Sequence, residues 1–111
     1  MQRVTVANQA CFSDDKMQKV ALFESAQFLC DLYCLAPGQT QRTHSHADSA
    51  KVYYALSGRA TVQVGDETAE LEPGEAVLAP SGVPHGVANR SDRTATLLVF
   101  MAPRPAHGGK G

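Results

Sequence analysis

Residues 38–58, GQTQRTHSHADSAKVYYALSG, hold two of the four histidines of the chain, one residue apart. Alternate side chains of a strand share a face, so His44 and His46 point the same way with their roots roughly 7 Å apart. Two imidazoles at that spacing can converge on one ion. The same stretch closes on KVYYALS, a run of strand formers stopped by Gly58. Further on, GEAVLAPSGVPHGVAN (74–89) carries His85. Three neutral imidazoles form a donor set for a divalent transition metal such as Fe, Mn, Ni, Cu or Zn.

The flanks read as strands separated by turns. RVTVA near the start alternates weakly, as an edge strand or an arm exchanged with a second subunit would, and SDDK reads as a turn. Between Met17 and Leu35 two apolar segments, KMQKVALF and FLCDLYCL, flank the polar ESAQ; this predicts a β-hairpin, with a helix over 16–28 as the competing reading. RATVQV, the turn at Gly65 and Asp66, and TAEL make a second hairpin. No segment between Gly38 and Pro103 has a helical period, and short strands punctuated by Gly and Pro predict an all-β barrel or sandwich. The expected organisation is one domain over 1–103 and a flexible tail over 104–111, which sets His107 aside as a ligand.

With 111 residues and a net charge of −1, the chain is long enough for one core and lacks the basic footprint of a nucleic-acid or membrane-surface binder. No apolar run approaches a membrane span, and the first residues lack the apolar core of a signal peptide. Three cysteines, an odd number, fit a reducing cytoplasm better than a disulfide scaffold. Cys30 and Cys34 share a strand face roughly 13 Å apart, too far to pair, and read as structural residues.

The punctuation around the histidines resembles that of the cupins. Gly38, His44, His46, Lys51 and Gly58 follow the spacing of their first motif; Gly74, Pro80, Gly82, His85 and Asn89 follow that of the second. One position departs: Lys51 stands where the family usually has a metal-binding glutamate. The resemblance implies a double-stranded β-helix (jelly-roll) barrel, a metal on His44, His46 and His85, and a homodimer. It leaves the chemistry open, because the family spans dioxygenases, isomerases, epimerases, sugar-processing enzymes, storage proteins and sensors.

In the orientation the family implies, Lys51, Tyr53 and Ala55 face the interior and Lys51 aims at the ion. An ammonium about 5 Å from a dication at an effective dielectric of about 20 is repelled by roughly 7 kcal/mol. Three resolutions follow: the stem carries the charge to solvent, leaving a three-histidine site; the amine loses its proton and serves as base or carbonyl nucleophile; or Lys51 replaces the metal as the cation for an anionic ligand. Tyr53 and Arg42, the latter two residues before His44 and so on its face, are candidate substrate contacts. Asp48 is an outside candidate for a replacement carboxylate. The leading expectation is a metal-binding protein acting on, or holding, a small oxygen-bearing metabolite, with oxygenase or isomerase chemistry as the candidate reactions. The alternative is a metal-free module that binds or senses an anionic metabolite.

Overall fold

The computed structural model describes residues 1–105. The alternating runs become strands β1 (Gln18–Glu24), β2 (Leu29–Leu35), β3 (Thr40–His44), β4 (Ala50–Ser57), β5 (Ala60–Val64), β6 (Glu67–Leu71), β7 (Ala76–Ala79), β8 (His85–Ala88) and β9 (Ala95–Ala102). They form a five-stranded sheet in the order β1-β2-β9-β4-β7 and a four-stranded sheet in the order β3-β8-β5-β6. Every pairing among the described residues is antiparallel; β1–β2 and β5–β6 are hairpins joined by short turns, and the other pairs join strands distant in sequence. The segment from Met17 to Leu35 is a hairpin, not a helix: Lys19 pairs with Tyr33 and Val20 with Leu32.

Between the sheets lies a core of Tyr33, Leu35, Tyr53, Ala55, Val62, Val87, Leu97 and Val99. On β4 the period of two is kept: Lys51, Tyr53 and Ala55 are buried, while Tyr54 is exposed. The far side of β2 is also covered, since Leu32 and Cys34 are buried there. The cover comes from the N-terminus, and this corrects the expectation for RVTVA. Instead of an edge strand, residues Val6–Gln9 form a short 3-10 turn beside Leu32 and Leu56, and the Cys11 amide donates to Cys34 Sγ at 3.4 Å. Val6 and Ala7 settle beside Leu32 and Leu56 on the outer face instead of extending a sheet edge.

Two motif residues fix the turns that close the barrel. Gly58 has φ +69°, and a Cβ there would run into the Thr94 carbonyl oxygen, so both conformation and space require glycine. Asn89, fully buried, donates to the carbonyls of Leu35 and Arg93 and accepts from the Ser91 amide, satisfying the backbone of the following turn. At the other end Arg104 remains tied to the Gln27 and Ser25 carbonyls. The rest of the expected tail, with His107, lies outside the described residues.

Candidate functional site

The fold brings His44, His46 and His85 together. β3 and β8 pair so that His44 and His85 are directly opposite. His46 lies just past the end of β3, where its carbonyl accepts from the Gly82 amide at 2.8 Å. That bond ties the first histidine loop to the turn before His85. The ring centroids are 4.9 Å apart for His44–His46, 4.6 Å for His44–His85 and 5.8 Å for His46–His85.

Backbone carbonyls set the tautomers of two of these rings. His44 Nδ1 is 2.8 Å from the Arg42 oxygen and His85 Nδ1 is 2.9 Å from the Val83 oxygen. A carbonyl only accepts, so each Nδ1 carries the proton and each Nε2 presents a lone pair. The Nε2 atoms of His46 and His85 are buried without a hydrogen-bond partner, and His44 Nε2 is buried beside them. One donor nitrogen from each histidine lies within 4.8 Å of the other two. Imidazole–zinc bonds are about 2.0–2.1 Å, so nitrogens that share one ion lie no more than about 4.2 Å apart, and the three rings would close together by several tenths of an ångström to bind it. Buried acceptors without donors fit a cation, and neutral imidazole is the form that binds one. Burial, followed by the positive charge of Lys51 and the other two imidazoles, pushes His85 down to about 4 against the help of its Val83 bond; His46 is lowered by burial, then by His44 and Lys51. Both stay neutral near pH 7.

The five-stranded sheet supplies the opposite wall. Lys51 is 0% exposed. Its stem therefore does not carry the ammonium to solvent, the first of the three resolutions above. Nζ donates to Gln41 Oε1 at 3.3 Å and lies 5.0 Å and 5.1 Å from the ring centres of Tyr33 and Tyr53, within cation–π range. Burial, then the Lys19 charge, brings Lys51 down to about 7, with Asp31 opposing. Tyr53 is fully buried with its hydroxyl unpartnered, its ring edge-on to His85 at 6.2 Å. Tyr33 accepts from Gln41 Nε2 at 3.3 Å. Burial raises the hydroxyl pKa of both tyrosines, so they remain donors.

Arg42 is not part of this site, and the reason is a bulge. β3 pairs Gln41 with Val87 and then His44 with His85, so two residues of β3, Arg42 and Thr43, face one residue of β8. The extra residue reverses the alternation: Gln41 shares the inner side with His44, while Arg42 is exposed in a groove with Thr40, Gln63 and Arg90. Simple alternation misses Gln41 for the same reason. The signal for the bulge is Gly86, because a Cβ there would come within 3.0 Å of the Gln41 oxygen and the Thr43 nitrogen. Asp48 is exposed and does not join the donor group.

Residues 31–101 match the cupin domain family model, most of the chain and both histidine stretches. The chain belongs to the cupins. A crystal structure from Thermus thermophilus, TT1209, is similar over 95% of this chain and 100% of that one, with 50% identity and a TM-score of 0.93. A Klebsiella pneumoniae protein with a double-stranded β-helix domain superposes with a TM-score of 0.85 at 20% identity, covering 93% of this cupin and 90% of that chain, a likeness of fold alone. The tetracenomycin polyketide synthase protein TcmJ of Streptomyces glaucescens is 35% identical over 77 residues, 67% of this chain and 52% of its own length. This cupin thus spans about half of that relative. No helix among the described residues is long and apolar enough to cross a membrane.

Proposed function

We propose that this cupin is a single-domain cytoplasmic protein that holds a divalent transition metal on His44, His46 and His85, with open coordination positions for a small oxygen-bearing molecule. The observation that carries this reading is the set of three imidazoles with buried Nε2 atoms, two of them fixed by backbone carbonyls, with one donor nitrogen per ring gathered within 4.8 Å. A bound ion would supply Lewis-acid polarisation or, as iron, manganese or copper, oxygen chemistry of the oxygenase or isomerase kind. The chain's own residues orient the molecule and keep bulk water from the inner wall, where Tyr33, Tyr53 and Lys51 are all fully buried. Kinship with a polyketide synthase protein is compatible with an oxygen-bearing ligand. Elemental analysis of protein grown with Fe, Mn, Ni, Cu and Zn should find close to one ion per chain, and His85→Ala should reduce this at least tenfold. A metal-free wild type would overturn the reading.

The buried ammonium of Lys51 favours the second reading, a metal-free module for an anionic metabolite. That module would show a ligand-induced melting shift that survives chelation.

We also propose that the protein is a homodimer, joined through the outer face of the five-stranded sheet rather than by an exchanged arm. Leu78, Tyr54 and Phe100 are exposed on neighbouring strands of that face, and Phe28 stacks on Phe100 at 5.3 Å. Leu78→Glu should shift sedimentation from dimer to monomer; a wild type that sediments as a monomer would overturn this assignment.

A further inference from the structure

The inner wall of the site is short of negative charge and of hydrogen-bond acceptors. Neutral imidazoles leave a bound dication with its full charge. Lys51, at the position where the first cupin motif usually places a carboxylate, is buried beside them. The ion pairs Arg59–Glu70 and Arg104–Glu24 lie away from the site, and Asp31, the carboxylate whose charge acts on Lys51, forms no salt bridge with it. Its recorded hydrogen bond is the 3.3 Å contact to Gln41, although an ammonium has three protons to donate. Tyr53 is fully buried and its hydroxyl has no partner. A buried donor left unmet costs about 1–3 kcal/mol, and more when charged. Two such donors beside an unneutralised dication call for one ligand that is both anionic and rich in acceptor oxygens. A neutral alcohol or ether could satisfy Tyr53 but would leave the repulsion between Lys51 and the ion in place.

We infer that the ligand is a small chelating carboxylate of the 2-hydroxy- or 2-oxo-acid class, whose oxygens bridge the ion on the three histidines and the donor pair Lys51 Nζ and Tyr53 Oη. This rests on the metal reading above. It turns the unusual lysine from a liability of the metal site into the element that selects for an anion. Gln41 holds the ammonium in place through Oε1 while its Nε2 is committed to Tyr33. Both of these neighbours are therefore positioning residues that act through Lys51.

The test uses full-length protein loaded with Co(II), with metal content measured first. L-lactate and 1,2-propanediol, which differ in the carboxylate, are titrated by calorimetry while the visible Co(II) bands are followed. The expected result is that lactate binds and perturbs the bands, with propanediol at least tenfold weaker. Lys51→Met, which keeps the apolar stem, should weaken lactate at least tenfold with metal content unchanged or higher. Tyr53→Phe should weaken it severalfold. The inference is overturned if Lys51→Met and Tyr53→Phe bind lactate as wild type does, if propanediol matches lactate, or if lactate binding is unchanged after the metal is removed. A wild type that takes up no Co(II) overturns the metal reading itself and this inference with it, so metal content separates the two failures.

Discussion

β3 and β4 face each other across the core and both deliver polar side chains to one point, but they do so by opposite means. β4 lies between β7 and β9, and from Lys51 to Ala55 alternate residues, Lys51, Tyr53 and Ala55, all point inward; its register shift against β9, between Ala55 and Ser57, falls beyond the residues paired with β7. β3 is an edge strand paired on one side with β8, and it breaks step at a bulge that sends Arg42 outward and brings Gln41 in with His44. A central strand cannot easily absorb an extra residue without disturbing two ladders. An edge strand disturbs one, which is why bulges collect there and re-aim side chains. The regular strand contributes charge and hydroxyl donors, and the bulged one aims the metal-type donors.

The largest effect should come from forcing β3 to behave like β4. Gly86→Ala places a Cβ within 3.0 Å of the bulge backbone at Gln41 and Thr43. We expect metal retained after loading to fall at least tenfold while the far-ultraviolet spectrum remains that of a strand protein; full retention would show that the bulge does not aim the histidines.

An intermediate effect concerns the cation on the regular strand. Lys51 is at about 7 in the fold against an ordinary 10.5, so between these values the unfolded chain binds more protons. Stability of metal-free protein therefore rises with pH from about 7 to about 10.5, by about a few kcal/mol, and the penalty is present in full below pH 7. Urea unfolding at pH 7 and pH 9.5 should show this gain in wild type and little of it in Lys51→Met. An equal gain in both would place its origin elsewhere.

The smallest effect separates the two residues that the bulge exchanges. Arg42→Ala should leave metal content and lactate affinity within about twofold, as surface substitutions usually do. Gln41→Leu should weaken lactate more than that, because it removes the acceptor that steadies Lys51. The reverse ranking would restore Arg42 to the site and contradict the register of β3.

Much of this was legible in the chain. The hairpin over β1 and β2 follows from period-two patterning and the turn at Asn89 from that side chain's bonding to nearby backbone, which act over a few residues and leave their mark in the sequence; the inward set on β4 came from the orientation that the cupin resemblance implies. His44, His46 and His85 could be nominated as a set because their spacing resembles a known pair of motifs. Gln41, Tyr33 and the burial of Lys51 could not be read the same way, since each depends on a partner distant in sequence. Gln41 needs the bulge opposite Gly86, and Lys51 needs the rings of Tyr33 and Tyr53 to receive its charge.

The sequence by itself determined the strand pattern and the turns, because these rest on local backbone preference, and it nominated the three imidazoles through the spacing they share with the cupin motifs. Only the tertiary structure decided which neighbours face that point and where the lysine's charge resides. The physical reason is that sheet register is a property of two strands together: one extra residue in β3 reverses a face, and no single strand records that reversal.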